Sequence, residues 1–83
     1  MNQTIYSMIK KGNKTNMRIS YNKLWKLLID NGMNKNDLKI ASGISSASIA
    51  KLGKCENITT DVLLKICVAL NVHLEDIMET IDD

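Results

Sequence analysis

The stretch IASGISSASIAKLGK, residues 40–54, decides the fold of this chain. A single glycine, Gly43, separates two short amphipathic segments, and the second segment carries three serines, two alanines and two lysines where long side chains would be expected. Ile49 and Leu52 are spaced to face the same side of a helix, so the small and cationic side chains project from the other side. The stretch therefore predicts two short helices joined by a tight turn, with a small, positively charged outer face on the second.

A six-residue frame recurs along the chain and predicts where helices begin. It consists of a hydrophobic residue, a residue that can cap a helix, three further positions and a second hydrophobic residue, which is the pattern of an N-cap inside a hydrophobic staple. The frame occurs five times, with the capping residues Ser20, Asn34, Ser45, Thr59 and His73. Five helix starts follow, and His73 is the weakest of them because imidazole caps a helix less well than Ser or Asp does.

The expected helix ends agree with these starts. Gly32, Gly43 and Asn71 stand where a residue in the left-handed conformation ends a helix. The expected helices cover residues 20–31, 35–42, 46–54, 60–70 and 74–80. No strand pattern is strong enough to compete with them. The sequence therefore predicts an all-α domain of five helices over residues 19–83.

Apolar residues at three- and four-residue spacing form the expected core. They are Leu24, Trp25, Leu28, Leu38, Ala41, Ile44, Ile49, Leu52, Leu63, Ile66, Cys67, Leu70, Leu74 and Ile77. Trp25 is interpreted as a core residue and not as a stacking platform. Cys67 is in step with its apolar neighbours and is expected to be a small core hydrophobe, whereas Cys55 lies in an expected loop. Two cysteines and one histidine without paired spacing cannot form a structural zinc site, so we expect no metal and no other cofactor.

Length and composition restrict the class of protein. The 83 residues suit one small domain. No apolar run without charge approaches the ~20 residues that span a bilayer, so we expect no membrane insertion. The N-terminal residues lack the order of a secretory signal, which predicts a cytoplasmic protein with reduced cysteines. We expect neither an enzyme nor a small-molecule ligand, because the sequence shows no nucleophile–base pair and no glycine-rich phosphate loop.

Residues 1–18 differ from the rest of the chain, because they are polar and contain four lysines and arginines. They are predicted to form a flexible basic arm. Such an arm either lies along a phosphate backbone or is simply solvated. A second interpretation stays open, in which Met17 is the true start of the protein, because MRIS, residues 17–20, leads directly into the first capping frame.

Charge separates the two ends of the chain. Residues 1–54 contain ten lysines and arginines and two aspartates, whereas residues 55–83 contain one lysine and seven acidic residues. The net charge of +2 therefore combines a basic part of +8 with an acidic part of −6. A basic part that carries two capped helices around a tight turn indicates a protein that binds a polyanion.

The run MNKNDLKIASGISSASIAKLGKCENITTDVLLKICVALNVHLEDIME, residues 33–79, resembles the helix-turn-helix family of Cro and the phage repressors, often called the XRE family. The positions that match are Leu38, Gly43, Ile44, Ile49 and Leu52. The resemblance implies a compact, lambda-repressor-like domain of five helices, in which helices two and three form the DNA-reading motif. Three positions depart from the family pattern, with Lys39 in place of a small residue, Ser42 in place of an apolar residue and Gly53 in place of Glu.

The resemblance and the helix period together predict a DNA-binding face. If Ile49 and Leu52 face inward, the other side of the second motif helix meets the major groove. The residues expected to read bases there are Ser46, Ala47, Ala50 and Lys51. The residues expected to bind phosphates at the edges of the motif are Lys35, Asn36, Ser45, Lys54, Asn57, Thr59 and Thr60.

The predicted function is sequence-specific binding of double-stranded DNA by a transcriptional regulator, expected to be a repressor at an inverted-repeat operator. A lone domain covers only a few base pairs, so we expect a homodimer, formed through the C-terminal helix region. The helix at residues 60–70 is apolar almost all round and is interpreted as the central buried helix. The alternative function is a protein-interaction module, such as an antitoxin or an accessory subunit of a larger complex. For such a module the outer face of the second motif helix should be apolar.

Overall fold

The computed structural model describes residues 16–82. The chain forms a strand, four α-helices, one 3₁₀ turn and a second strand. These elements are β1 (Met17–Ser20), α1 (Asn22–Asp30), α2 (Lys35–Ser42), α3 (Ser46–Gly53), α4 (Thr60–Leu70), the 3₁₀ turn (Leu74–Asp76) and β2 (Glu79–Asp82). Two residues of the predicted arm, Met17 and Arg18, belong to β1, and residues 1–15 of the predicted arm lie outside the described residues.

Three of the predicted caps start α2, α3 and α4. The side chains of Asn34, Ser45 and Thr59 each accept a hydrogen bond from the backbone N–H three residues further on, at 2.8, 3.1 and 3.3 Å. Each bond satisfies a first-turn N–H that has no partner inside its helix. The predicted starts of these three helices are confirmed.

Residues in the left-handed conformation follow three of the helices, as predicted. Gly32, Gly43 and Asn71 have φ angles of +66°, +74° and +56°. At the turn between α2 and α3, the N–H of Gly43 donates to the carbonyl of Lys39 at 2.9 Å. This bond ends α2 and lets the chain reverse direction within a few residues.

The start of α1 differs from the prediction. Ser20 ends β1, and its hydroxyl accepts a hydrogen bond from the N–H of Asn22 at 3.2 Å. Tyr21 occupies the N-cap position without a side-chain cap. The helix therefore begins at Asn22 and not at residue 20, because Ser20 is held in the strand.

The prediction of a fifth helix over residues 74–80 is wrong, and so is the all-α, five-helix description. After one 3₁₀ turn the chain extends into β2, which pairs antiparallel with β1 and places Ser20 opposite Glu79. Thr80 and Ile81 are β-branched and favour a pleated strand. The domain thus has four α-helices and a small two-stranded sheet.

The core brings together side chains from all four α-helices. The residues without exposed surface are Leu24, Leu38, Leu52, Ile66 and Ile77, and the other buried hydrophobic residues are Tyr21, Leu28, Ile44, Leu63 and Cys67. Among these, Tyr21 was not predicted. Two predicted core residues, Ala41 and Leu74, are exposed instead. No helix in residues 16–82 is long and apolar enough to cross a membrane.

The helix α4 is buried on one side only. Leu63, Ile66 and Cys67 face the core, whereas Leu64 and Val68 are 58% and 80% exposed. The interpretation of this segment as the central buried helix therefore holds for one face and is wrong for the other.

The two cysteines lie in different surroundings. Burial raises the pKa of the Cys67 thiol, and the carboxylates of Asp76 and Glu75 raise it further. A thiol with a raised pKa stays protonated and is a weak nucleophile. Cys67 is a core residue, as predicted, while Cys55 is an exposed free thiol in the turn after α3, with a φ angle of +56°.

Candidate nucleic-acid interface

The helix α3 presents short side chains and one cation to solvent. Leu52 has no exposed surface and Ile49 is half-buried, so these two side chains hold α3 against the core. The four residues predicted to read bases are all exposed, namely Ser46, Ala47, Ala50 and Lys51. By the helical period they form one continuous outward face. The inward and outward sides of α3 are therefore as predicted.

The turn between α2 and α3 is held by side-chain and backbone hydrogen bonds. The Ser42 hydroxyl donates to the carbonyl of Leu38 at 2.6 Å and accepts from the N–H of Ile44 at 3.4 Å. These bonds explain why the chain tolerates a polar residue where the family usually has an apolar one. They connect the last turn of α2 to the residue that follows Gly43.

Ser45 has a structural role at the start of α3. Its hydroxyl oxygen accepts from the N–H of Ser48, and the hydroxyl donates to the side-chain oxygen of Ser48 at 3.1 Å. A hydroxyl has only one proton to donate. A phosphate contact from the Ser45 side chain, which the sequence predicts, therefore requires this hydroxyl to rotate away from Ser48.

The other residues predicted to bind phosphate are all on the surface. They are Lys35, Asn36, Lys54, Asn57, Thr59 and Thr60. Lys35 and Asn36 open α2, Lys54 follows α3, and Thr59 and Thr60 lie at the start of α4. The Thr59 hydroxyl oxygen accepts the cap bond of α4, so its proton is available for a second contact.

A groove of about 200 Å³ lies between α2 and α3. It is lined by Lys35, Asn36, Lys39, Ser46 and Ile49. Two residues predicted to bind phosphate and one predicted to read bases thus meet at one surface. Lys39 is half-buried there, so its aliphatic stem fills space between the helices while its ammonium group can reach water. The structure therefore accommodates a long side chain where the family usually has a small one.

Trp25, which the sequence predicts as a core residue, contacts a residue of the predicted interface. It is half-buried on α1, and the Nζ atom of Lys35 lies 4.7 Å from the centroid of its ring. This is the geometry of a cation–π contact. The two residues belong to different helices, so no local spacing indicates their contact.

Comparisons with known proteins agree with this geometry. Residues 23–83 match the family described as Cro/C1-type HTH DNA-binding domain. A similar solved structure is the crystal structure of the transcriptional regulator VanUg, Form II, with 52% sequence identity and a TM-score of 0.77. That similarity covers 83% of this chain and 92% of the other. No curated protein matches the chain.

Proposed function

The chain belongs to the Cro/C1-type helix-turn-helix DNA-binding family, and from this premise we propose that it recognises a specific sequence in double-stranded DNA and represses transcription there. The observation that carries the proposal is the outward face of α3, which is exposed, small and cationic. Short side chains allow the helix backbone to approach the floor of the major groove, where each base pair shows a distinct pattern of donors and acceptors.

Each side chain on this face has a distinct part in base recognition. The Ser46 hydroxyl donates to or accepts from a base edge, and the Ala47 methyl group contacts the methyl group of a thymine. Ala50 keeps the helix close to the bases because it adds no bulk. Lys51 donates to O6 or N7 of a guanine. These contacts give the sequence preference.

A second set of residues holds the DNA backbone. The set consists of Lys35, Asn36, Ser45, Lys54, Asn57, Thr59 and Thr60. Their contacts with phosphates fix the register of α3 in the groove and contribute affinity without sequence preference. The positions of these residues support the separation of phosphate binding from base reading. They lie at the edges of the motif, at the start of α2 and in the segment from the end of α3 to the start of α4.

The protein acts as a homodimer on an inverted repeat. One copy of α3 covers only a few base pairs, and two copies related by a two-fold axis read half-sites ~10 base pairs apart. We place the contact between copies in the C-terminal region, residues 74–80, which forms a 3₁₀ turn and the start of β2 instead of the predicted helix. Leu74 in this region is 44% exposed. Molar masses of the protein and of its DNA complex, measured by light scattering, test this point. Two copies per duplex are expected, whereas a single copy on every duplex would refute it.

The alternative of a protein-interaction module has less support. A surface that binds a protein partner should be apolar at its centre. The outward face of α3 has two alanines, a serine and a lysine and no large apolar side chain. This composition favours DNA as the partner of α3.

Binding of a labelled duplex of about 20 base pairs at increasing salt tests the proposal. Each phosphate that the protein neutralises adds about 0.9 to the slope of log affinity against log salt. Lys54→Gln should therefore reduce the slope by about 0.9. Lys65→Gln is the matched control, since Lys65 lies on α4, pairs with Asp61 at 3.3 Å and is not one of the proposed phosphate contacts. Equal slopes for wild type and both variants, or no binding of the duplex at any salt, would refute the proposal.

A further inference from the structure

We infer that Trp25 is a positioning residue for DNA binding, whose ring holds the Lys35 ammonium group ready to receive a backbone phosphate. Trp25 itself contacts no DNA in this arrangement. The inference rests on the proposed function, since it assigns a way of placing one of the phosphate contacts. The inference assigns a role in DNA binding to Trp25, which the sequence predicts as a core residue.

The ring of Trp25 is a fixed platform. The side chain is half-buried and packs against the core cluster, which contains its neighbour Leu24 on α1. A ring held in this way has a fixed position, so the contact forms where the Lys35 side chain reaches the ring. The Nζ atom of Lys35 lies 4.7 Å from the ring centroid, within the range of a cation–π contact.

The same ammonium group lies close to Gly53. A Cβ atom placed on Gly53 would lie 3.4 Å from the Nζ atom of Lys35. The ammonium group therefore sits against the backbone of the last residue of α3, where the helix dipole carries partial negative charge. Three elements meet at this point, because the ring is on α1, the lysine opens α2 and the glycine ends α3.

The contact with the ring leaves the ammonium group able to bind an anion. A lysine ammonium has three N–H donors, and a cation–π contact is an attraction to the ring face that does not use up all of them. Within residues 16–82, no carboxylate forms a salt bridge with Lys35. A phosphate that approaches this point therefore meets a cation that is already in place.

Holding the lysine in advance should increase affinity. A long side chain loses rotamer freedom when it binds, and a contact that restricts it beforehand removes part of that loss. An exposed cation–π contact corresponds to about a two- to fivefold change in an equilibrium constant. Loss of the Trp25 ring should therefore weaken duplex binding by about two- to fivefold.

A double-mutant cycle on the full chain tests the inference. Affinity for a duplex of about 20 base pairs is measured for wild type, Trp25→Leu, Lys35→Met and the double variant, with the folded fraction checked by circular dichroism. Trp25→Leu should weaken binding about two- to fivefold, and the double variant should bind as well as Lys35→Met alone. Trp25→Phe keeps an aromatic face and should restore binding to within about twofold of wild type.

Equal losses of DNA affinity from Trp25→Leu in the presence and absence of Lys35 would overturn the inference, because the ring would then affect binding without the lysine.

A spectroscopic measurement covers the case in which Trp25→Leu does not fold. The chain has one tryptophan, so its emission reports this ring alone. Lys35→Met should change the tryptophan fluorescence of the DNA-free protein, and Lys54→Met should not. Identical tryptophan fluorescence of wild type, Lys35→Met and Lys54→Met would also overturn the inference.

The result for wild type separates this inference from the function on which it rests. If wild type does not bind the duplex, the proposed function fails, and the phosphate role of Lys35 fails with it. If wild type binds with the expected salt dependence but the cycle shows no coupling between Trp25 and Lys35, only the inference fails.

Discussion

Asn34 and Asp37 exchange two hydrogen bonds at the start of α2. The N–H of Asp37 donates to Oδ1 of Asn34 at 2.8 Å, and the N–H of Asn34 donates to Oδ2 of Asp37 at 3.0 Å. This capping box satisfies two N–H groups that would otherwise lack partners and places an anion at the positive end of the helix dipole. It fixes the first turn of α2, and so the backbone position from which Lys35 and Asn36 project.

Loss of this cap should destabilise the domain. Asn34→Ala is expected to lower the free energy of unfolding by ~1 kcal/mol, measured by denaturant unfolding followed by circular dichroism. Asn36→Ala is the matched control on the same turn, and it should change stability by less than about 0.5 kcal/mol because Asn36 is exposed. Equal stabilities of the two variants would contradict the capping role.

The two glycines at the ends of α2 and α3 should respond differently to an added methyl group. Gly43 has a φ angle of +74°, so Gly43→Ala should cost about 1–2 kcal/mol of stability through backbone strain, although nothing lies within 4 Å of the added Cβ. Gly53 is the last helical residue of α3 and has no positive φ, so Gly53→Ala should be neutral or stabilise by up to about 1 kcal/mol. Thermal unfolding measures both changes. A Gly43→Ala variant as stable as wild type would contradict the left-handed turn.

The two thiols should react at very different rates. Cys55 is exposed and should be labelled quickly by a thiol reagent in the folded protein, whereas Cys67 should be protected because it is buried and its pKa is raised. Mass spectrometry of partly labelled protein distinguishes the two sites. Equal labelling rates under native conditions would contradict the burial of Cys67.

The raised thiol pKa also has a consequence for stability at high pH. Cys67 keeps its proton in the folded state to a higher pH than in the unfolded chain. The unfolded state therefore binds fewer protons as the pH rises above the ordinary thiol value of 9.0, and the free energy of unfolding should fall there. Cys67→Ser should show a smaller fall over the same pH range, because a serine hydroxyl does not ionise there. Denaturant unfolding at a series of alkaline pH values measures the difference, and parallel curves for the two proteins would contradict it.

Lys51 and Lys35 should differ in how they affect DNA binding. Lys51→Ala is expected to relax preference at one or two base pairs, because Lys51 faces the bases. Lys35→Ala should weaken binding to all duplexes alike, because it removes a phosphate contact. Affinities for duplexes that differ at single positions distinguish the two effects. An equal loss on every duplex from Lys51→Ala would refute its role in reading bases.

Local signals in the sequence predict most of the helical structure. Asn34, Ser45 and Thr59 cap helices through bonds to residues three positions away, so the information is contained in a few neighbouring letters. The sheet is different, since residues 79–82 become a strand only by pairing with residues 17–20 at the other end of the chain. No local pattern shows that pairing. The same limit explains why the apolar pattern of α4 predicts a central buried helix, although Val68 is 80% exposed.

The sequence predicts which side of α3 faces outward at the candidate site, but it does not predict which side chains there contact one another. The helical period is sufficient to place Ser46 and Lys51 outward, because it requires only the inward anchor Leu52. The contact of Lys35 with Trp25 depends on how α1 packs beside α2 and α3, and helix packing is set by the whole core. The sequence therefore predicts Trp25 as a core residue and Lys35 as a phosphate contact, with nothing that connects the two residues.

Selection of bound duplexes from a random pool tests the central claim most directly. The purified protein is presented with the pool at roughly 0.15 M salt, where non-specific attraction to phosphates is partly screened. Enrichment of an inverted repeat, with half-sites ~10 base pairs apart, is the expected result for a dimer that reads bases through α3. Binding without enrichment, lost uniformly as salt increases, would contradict the claim that α3 reads sequence.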